Sequence, residues 1–402
     1  MTITSSLDLI SYAFSHHLFE QAVPLSKFLQ SYMMVTPSYA SSNLVKTVSH
    51  INKNLGQILA KRNHPDLESS FAKTYPIEHL YQLLAKLKRQ PFSYFHAHDR
   101  MATRIIRDFL PPKALIAIDT GAESLFRAWK GKTFCILDLT IAIPQYRVHI
   151  YDQARRKSWN QFVHFHYPCD WELDRYKAEI DMADLILCPS QFVFDSCLFS
   201  GIEANRLRVL PYGFNPGIFR AATRNSFRKN NFKIAFVGSF CYRKGSHILL
   251  EAFCKLSNRF NDVELHIFGK IIDKPSFSSS QIIFHGHVPQ STLATELVTM
   301  DVLAFPTFFE GSAYSVYQAL ACGLPVVTTA NCGSVVNESC GMILDEVSPI
   351  ALYAALEKLY CDRDQLYSMS LAATEVVKHY SWQTYGTKLI QILRDVIPDL
   401  LS

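Results

Sequence analysis

The sequence lacks the motifs and segments that mark several large classes of protein. Its ten cysteines include no CxxC pair, and cysteines scattered in this way are typical of small core residues in a reducing compartment. No stretch approaches the ~18 uncharged apolar residues that a spanning helix needs, and no basic segment followed by an apolar run stands at the N-terminus. These absences predict a soluble, cytoplasmic protein.

The sequence also has only a small excess of positive over negative charge. The formal net charge is only +5 over 402 residues, which argues against a dedicated nucleic-acid binder but suits anionic small molecules. Arg155, Arg156 and Lys157 stand close to Trp159, a pattern that fits either a peripheral contact with the cytoplasmic face of a membrane or a solvated helix face.

The signatures of metal and dinucleotide sites are missing as well. No GxGxxG follows a strand pattern and no HExxH is present. The single D-x-D, Asp362 to Asp364, falls at the end of a helical pattern, and the three H-x-H pairs lie far apart in the chain, at His96/His98, His164/His166 and His285/His287. The sequence therefore predicts no metal and no cofactor.

What the chain does have is a regular alternation of short β-branched or aromatic runs with helical patterns, which predicts an α/β protein with parallel sheets covered on both faces. Apolar periodicity stops between Asn215 and Asn231, where Pro, Gly, Asn and basic residues gather. We predict an N-terminal domain over 1–215, a linker over 216–231, a second domain over 232–380 and a last helix in 381–402 that packs back toward the first domain.

Individual elements follow from the same patterns. In the first half, the stretch "FSYFHAH" before Asp99 is predicted as a strand. In the second half, "KIAFVGSF" is predicted as a strand and "SHILLEAFCKL" as a helix with Ser246 as its N-cap. A later helix is predicted to begin after Ser348, with Pro349 in its first turn.

The stretch "FPTFFEGSAYSVYQALACGLPVV" carries one carboxylate, Glu310, among apolar and small residues. Glu310 follows the strand pattern "DVLAFP" and precedes a helix, so it stands at the carboxyl end of a strand, beside backbone N–H groups that lack partners within the helix. A carboxylate beside free donors suits a ligand with both hydroxyls and negative charge, such as a nucleotide sugar. A surface carboxylate near a helix N-terminus would have the same pattern.

Four segments together resemble one family. The segment "EGSAYSVYQALACGLPVV" is similar to the signature E-G-x-x-L-x-x-x-E-A-x-A-x-G-x-P-V-V of the retaining glycosyltransferases of family 4, which have the GT-B fold. "IAFVGSFCYRKGSHILLEAF", "ADLILCPSQFVFDSCLFSGIEANRLRVLPYGFNP" and "YSWQTYGTKLIQIL" resemble the family's phosphate loop, its run into the linker and its last helix, in the family's order. The resemblance implies two Rossmann-like domains that face a central cleft.

The resemblance also implies roles for particular residues on the donor side. Glu310 would contact the hydroxyls of the donor sugar, and Gln318 would hold the ribose, where the family has a second glutamate. Lys244 and Arg243 would bind the diphosphate, and Ser239 stands where an arginine is frequent. The full donor-side set implied is Gly238, Ser239, Arg243, Lys244, Glu310, Gly311, Ser312, Ala313, Tyr314 and Gln318.

The N-terminal half resembles the family less. It implies an acceptor side made of His16, His17, His98, Asp99 and Asp138, with His98 counted among the catalytic candidates beside Glu310, Lys244 and Arg243. Two family features are missing: histidines stand where the N-terminal loop has glycines, and the histidine that follows the strand equivalent to "TFCILDL" is absent.

The function implied is transfer of a sugar from a UDP- or GDP-sugar to a glycan, a lipid-linked acceptor or a protein, with retention and without a metal, because cations and helix N-termini neutralise the leaving group. Two alternatives stay open. One is a non-catalytic nucleotide-sugar-binding subunit of a glycosylation complex, and the other is a nucleotide-sugar epimerase or a phosphorylase with the same fold.

Overall fold

The structure is a computed structural model. It describes residues 7–12, 17–29, 31–36, 39, 42–51, 64, 66–75, 92–160, 163, 165–222, 231–273 and 279–400.

The first half of the chain forms a parallel sheet in which seven strands are described, in the order β3-β2-β1-β4-β5-β6-β7. The apolar side chains of its central strands are buried on both faces, as expected of a sheet covered by helices on both sides. The strands are β1 (Leu9–Tyr12), β2 (Tyr32–Thr36), β3 (Ala72–Thr74), β4 (Ala114–Ile118), β5 (Phe134–Asp138), β6 (Leu185–Cys188) and β7 (Leu207–Val209).

Helices between these strands cover the two faces of the sheet and create two separate apolar cores. The described helices are α1 (His17–Phe28), α2 (Ser42–Ile51), α3 (Phe92–Asp108), α4 (Glu123–Trp129), α5 (Pro144–Arg155), α6 (Asp170–Met182) and α7 (Gln191–Phe199). Helices α3, α4 and α6 contribute to one core, and α1 contributes to the other.

The second half forms another parallel sheet, whose six described strands have the order β10-β9-β8-β11-β12-β13. These strands are β8 (Phe232–Val237), β9 (Val263–Phe268), β10 (Ile282–Gly286), β11 (Val302–Phe305), β12 (Val326–Thr329) and β13 (Gly341–Leu344). The helices are α8 (Ser246–Arg259), α9 (Gln290–Leu297), α10 (Tyr314–Ala321), α11 (Pro349–Cys361), α12 (Arg363–Val377) and α13 (Trp382–Val396). Two parallel sheets with helices confirm the predicted α/β class.

Two local predictions were wrong. The stretch "FSYFHAH" begins helix α3 instead of forming a strand, because Ala97, Met101 and Ile105 recur every fourth residue and are all fully buried, which is helical periodicity. Ser246 is the first residue of α8 and not its N-cap. Gly245 takes that position with φ +73°, where an added Cβ would lie 2.1 Å from the carbonyl oxygen of Pro306.

Other local predictions agree with the structure. The Ser348 side chain caps α11 by accepting a hydrogen bond from the amide of Ala351, and Pro349 is in the first turn. Asp362, which was not predicted to be a cap, caps α12 in the same way, through the amide of Gln365. The strands β3 and β13 were not predicted.

The chain crosses between the two halves at two adjacent points. The amide of Phe214 donates to the carbonyl of Tyr380 at 2.9 Å, and the amide of Trp382 donates back to the carbonyl of Phe214 at 3.3 Å. Helix α13 then packs on α1 of the first half, where Gly386 lies directly against Pro24. Of the predicted linker, residues 223–230 lie outside the described part of the chain.

A second contact between the halves involves the basic stretch that follows α5. The indole N–H of Trp159 donates to the carbonyl of Val347 at 3.2 Å, and Lys157 forms an ion pair with Glu346. Two residues of the candidate membrane patch are therefore engaged in contacts within the protein. None of the helices in the described ranges is long and apolar enough to cross a bilayer.

Candidate active site

The predicted donor-side residues meet at the carboxyl ends of β8 and β11, the two central neighbours of the second sheet. A short 3₁₀ turn, Tyr242–Lys244, follows β8, and the loop that contains Glu310 follows β11. Glu310 Oε1 lies 2.6 Å from Arg243 Nη1 and 2.7 Å from Lys244 Nζ. Arg243 Nη1 also donates to the carbonyl of Phe309 at 2.8 Å. The structure thus brings together two cations and a carboxylate from segments 66 residues apart in sequence.

These contacts determine the ionisation of Glu310. Burial alone would raise the pKa of its carboxyl, but the charges of Arg243 and Lys244 outweigh burial and hold that pKa below its usual range. The carboxylate is therefore ionised at neutral pH. Its Oε1 accepts hydrogen bonds from both Arg243 and Lys244, and Oε2 has no hydrogen-bond partner among the described residues. Oε2 is the oxygen that a ligand hydroxyl can reach without breaking an ion pair.

Two glycines allow this arrangement. Gly238 has φ +139°, a backbone conformation that residues with a side chain rarely adopt, and it lies next to the side chain of Lys244. Gly311 lies against the first half of the protein, where an added Cβ would be 1.8 Å from the carbonyl oxygen of Thr140. Its own carbonyl accepts a hydrogen bond of 2.6 Å from Ser190 Oγ. The Glu310 loop therefore forms part of the contact between the two domains.

Backbone donors are available in the same loop. Within the described residues, the amides of Gly311, Ser312 and Ala313 have no hydrogen-bond acceptor, as expected just before a helix without a side-chain cap. Such amides, next to Arg243 and Lys244, form a site of positive potential.

The remaining donor-side candidates differ in accessibility. Ser239 is exposed in the loop after β8, and Gln318 is partly exposed, with no hydrogen bond between its side chain and any described residue. Ser312 is buried, with its hydroxyl 3.2 Å from that of Tyr317. Tyr314 stacks on Tyr212 at a centroid distance of 4.9 Å. Gln318 thus has a side chain that can reach a ligand, whereas Ser312 and Tyr314 pack inside the protein.

The acceptor-side candidates are not brought together in the same way. His98 is 1% exposed, with Nδ1 2.8 Å from the hydroxyl of Tyr12, and burial, aided by Arg175, lowers the pKa of its imidazole to about 3. Asp138 is also buried and accepts a hydrogen bond from Gln21. Asp99 is half-exposed and bonded to Arg175. His16 and the side chain of His17 lie outside the described residues.

Several residues that shape the site were not predicted from the sequence. Thr307 is fully buried and its hydroxyl lies 3.4 Å from Glu310 Oε1. The carbonyl of Asn331 accepts the amide of Glu310 at 2.9 Å. Thr140 and Ser190 reach the loop from the first domain. Thr307 stands three residues before Glu310, so its position in the sequence could have indicated that it lies near this carboxylate. Thr140 and Ser190 are far from Glu310 in sequence and approach its loop only in the folded chain, so no local pattern indicates them.

Tyr151 of α5 is a further residue near the site that was not predicted. Its ring lies 5.0 Å from that of Phe309, the residue before Glu310, and burial raises the pKa of its hydroxyl to about 12.

Among the described residues, no three His, Cys, Asp or Glu side chains are arranged to hold a metal ion. The histidines of the first H-x-H pair lie two apart on helix α3, so they do not share a face as they would on the predicted strand.

Comparison with known proteins identifies the family of the donor-side domain. Residues 231–362, which include Arg243, Lys244 and Glu310, match the family model described as glycosyl transferases group 1. The match covers most of the C-terminal domain.

Curated relatives cover a similar part of the chain. A D-inositol 3-phosphate glycosyltransferase of Corynebacterium urealyticum is 28% identical over 206 residues, which are 46% of this chain and 48% of that protein. A GDP-mannose-dependent alpha-mannosyltransferase of Corynebacterium glutamicum is 30% identical over 46% of this chain and 45% of its own length. The chain thus spans about half the length of the curated relatives it matches.

Solved structures extend the likeness of fold to the whole chain. Sucrose-phosphate synthase from Thermosynechococcus elongatus has a TM-score of 0.63 at 15% identity, covering 98% of this chain and 96% of its own. HepE of Anabaena, solved in complex with UDP-glucose, has a TM-score of 0.59 at 13% identity, covering 96% of this chain and 99% of its own. The GT-B fold expected from the sequence is confirmed by these structures.

Proposed function

We propose that the protein transfers a sugar from a nucleoside diphosphate sugar to an acceptor in the cleft between its domains, with retention of anomeric configuration and without a metal ion. The observation that carries the proposal is the convergence of Arg243, Lys244 and Glu310 at the carboxyl ends of β8 and β11. This is where open α/β sheets bind their ligands.

The geometry supports a role for the cations in binding the diphosphate. Arg243 and Lys244 stand next to the amides of Gly311 to Ala313, and cations and amides together suit a group with several anionic oxygens. Without a ligand the positive charge is compensated by Glu310. A diphosphate therefore competes with the carboxylate for Arg243 and Lys244 when it binds.

The same groups can assist the bond-breaking step. The bond between the anomeric carbon and the diphosphate oxygen breaks, and the departing nucleoside diphosphate keeps the electron pair. Fixed cations near that oxygen stabilise the negative charge that develops on it. Glu310, through Oε2, can accept hydrogen bonds from hydroxyls of the sugar. Metal-independent transfer follows if Arg243 and Lys244 supply the charge that a divalent ion supplies elsewhere.

The names of similar proteins suggest which nucleotide the donor carries. One relative is named as dependent on GDP-mannose, and one structural neighbour was solved with UDP-glucose, so both nucleotides are candidates. Retention is supported by the resemblance of the Glu310 loop to that of the retaining family. The anomeric configuration of the product, followed by NMR during the reaction, tests it.

The decisive experiment begins with thermal shift against UDP, GDP and their sugars, followed by detection of the released nucleotide. Lys244→Ala should weaken binding of both the free nucleoside diphosphate and the intact donor. Lys255→Ala, at an exposed lysine that pairs with Glu251 on α8, is the matched control and should bind as the wild type does. Equal nucleotide binding by wild type and Lys244→Ala would contradict the proposal.

One observation favours a second candidate, the non-catalytic nucleotide-sugar-binding subunit. Gln318 places a neutral amide where the family has its second glutamate, and hydrogen bonds that involve charged groups contribute ~1.5–3 kcal/mol against ~1 kcal/mol for neutral ones. A donor that binds tightly but is neither hydrolysed nor transferred with any acceptor would indicate this second function.

A further inference from the structure

A cavity of about 430 Å³ lies at the surface of the N-terminal domain, apart from the Arg243–Lys244–Glu310 cluster. Three helices form it: α3 contributes His96 and Asp99, α4 contributes Glu123 and Arg127, and α6 contributes Trp171, Asp174, Arg175 and Ala178. Its volume is within the range of small-molecule sites. The proposed donor chemistry uses none of these residues.

The cavity is at the edge of the first sheet that faces the second domain. Helix α4 begins five residues after β4 ends at Ile118, so its first turn lies at the carboxyl edge of the sheet. Helices α3 and α6 precede β4 and β6 in the chain, so each begins at this same edge and runs away from it. On the same edge, Asp119 accepts hydrogen bonds from the amide and hydroxyl of Thr140. The carbonyl of Thr140 touches Gly311 of the Glu310 loop. The helix ends that line the cavity and the Thr140–Gly311 contact therefore lie at the same edge of the first sheet.

The wall of the cavity is held rigidly. Asp99 Oδ1 accepts hydrogen bonds of 2.8 Å from both Arg175 and Ser124. Arg175 is also 3.5 Å from Glu179, a fully buried carboxylate that accepts the backbone amides of Thr120 and Ala122. The carboxylate and guanidinium groups of the wall are thus oriented before any ligand arrives, which lowers the cost of binding.

The charges of the cavity argue against an anionic ligand. Its two guanidinium groups are both paired, Arg175 with Asp99 at 2.8 Å and Arg127 with Glu123 at 2.8 Å. Asp174 is exposed and has no ion pair among the described residues. Three carboxylates against two guanidinium groups leave a negative balance, so a phosphate would have to displace a carboxylate and then face another.

The same groups suit a neutral ligand with many hydroxyls. Paired carboxylates and guanidinium groups offer acceptors and donors side by side at fixed positions. The partly buried indole of Trp171 offers an apolar surface next to them. A sugar ring has this combination of an apolar C–H face and hydroxyls around its edge.

We propose that this cavity binds a neutral sugar residue of a glycan acceptor. The inference rests on the proposed function for the identity of the molecule as an acceptor. Because the cavity and the Glu310 loop use different residues, the proposal assigns them to two sugar units of the acceptor. One unit occupies the cavity while another presents its hydroxyl to the donor.

Binding of free glycosides tests this inference without any need for transfer. Saturation-transfer NMR titrations would use the methyl glycosides of glucose, mannose, galactose and N-acetylglucosamine as neutral probes. Glucose 6-phosphate and inositol 1-phosphate serve as anionic probes. We expect at least one neutral glycoside to bind, Trp171→Ala to weaken it about tenfold, and Trp171→Phe to keep most of the affinity. Asp174→Ala should weaken it about threefold.

The matched control is Asp181→Ala, at another exposed aspartate of α6 that does not line the cavity, and it should leave glycoside binding unchanged. Three outcomes would overturn the proposal: no neutral probe binds, Trp171→Ala binds as the wild type does, or the phosphorylated probes bind more tightly than the neutral ones.

Calorimetry with UDP and GDP on the same proteins separates the two proposals and checks that the variants are folded. If glycosides bind through Trp171 but no nucleotide binds, the sugar-binding cavity stands and the proposed donor chemistry fails. If nucleotide binding is intact and glycoside binding does not depend on Trp171, the cavity proposal alone fails.

Discussion

The two domains use their charged side chains in opposite ways. In the C-terminal domain, Glu310, Lys244 and Arg243 keep 12%, 14% and 29% of their side chains exposed and pair with one another. In the N-terminal domain, Asp119 and Glu179 are almost wholly buried and are bonded to backbone amides of nearby turns. The difference indicates that one set can exchange its partners for a ligand, whereas the other holds the chain in place.

The cost of burial explains this division. A buried carboxylate whose partners are amides of the scaffold cannot be released without leaving those amides and the charge unpaired. A carboxylate paired with partly exposed side chains at a cleft can exchange one cationic or polar partner for another. We therefore expect substitutions at Glu310 to change chemistry and substitutions in the buried set to change stability.

The largest expected effect is that of Glu310→Gln. The amide cannot form charge-assisted bonds to sugar hydroxyls, so turnover should fall by ~10²-fold, which corresponds to ~2.7 kcal/mol in the barrier. Free nucleotide should bind as tightly as in the wild type or more tightly, because Glu310 no longer competes for Arg243 and Lys244. Steady-state kinetics and calorimetry measure the two quantities.

A matched control for this substitution is Glu251→Gln, at an exposed glutamate of α8, which should leave both quantities unchanged. If Glu310→Gln abolished binding of the free nucleotide while Lys244→Ala left it intact, the proposed orientation of the donor would be wrong.

The next effect concerns stability and the buried His98. Its folded-state pKa is about 3, below the ordinary value of 6.5, so between these pH values the unfolded chain binds a proton that the folded chain does not. The free energy of unfolding must therefore decrease as the pH falls through this window, by about 2 kcal/mol between pH 7 and pH 5 for this residue. Urea denaturation at several pH values measures the slope.

His98→Gln removes this titration, so it should flatten the slope even if it lowers stability at every pH. His247 in the C-terminal domain makes a useful comparison, because burial also lowers its pKa, to about 4. His247→Gln should flatten the slope between pH 6.5 and pH 4. An unchanged slope in His98→Gln would mean that His98 is not buried as a neutral imidazole.

A smaller effect is expected for Gly311→Ala, which tests the contact between the domains. The new methyl group would lie 1.8 Å from the carbonyl oxygen of Thr140, so the Glu310 loop must shift. We expect kcat/KM to fall by about tenfold, or ~1.4 kcal/mol. Gly217→Ala is the control, since its Cβ would meet only the side-chain oxygen of Asn215, at 3.1 Å. Wild-type kcat/KM in Gly311→Ala would show that the contact is not needed for transfer.

The same contrast explains how much the sequence could predict. The C-terminal site follows from two contiguous stretches, "GSFCYRKG" and "FFEGSAYS", because each loop follows a strand whose carboxyl end must lie at the ligand-binding edge. The α/β class followed from the alternation of strand and helix patterns along the chain, and the family from the resemblance of four segments. Physical rules of local structure were enough to place the two loops.

The N-terminal domain depends on contacts that have no local pattern. Helix α3 was predicted as a strand because aromatic and polar residues alternate over its first turns, whereas its buried face is defined by Ala97, Met101 and Ile105. The cavity combines residues of three helices, from His96 of α3 to Ala178 of α6. Thr140 and Ser190 contribute to the Glu310 loop only because the two domains meet.

The smallest expected effect is that of removing metal ions. Arg243 and Lys244 are the cations that the proposal assigns to the diphosphate, so they can neutralise the leaving group without a divalent ion. EDTA should therefore leave the transfer rate within about twofold of its untreated value, a change of less than ~0.5 kcal/mol in the barrier. Loss of activity with EDTA and its recovery with Mn²⁺ would contradict this expectation.

In Lys244→Ala the missing charge creates a place for a cation, so added Mg²⁺ or Mn²⁺ should restore part of the activity lost by this variant while leaving the wild type unchanged.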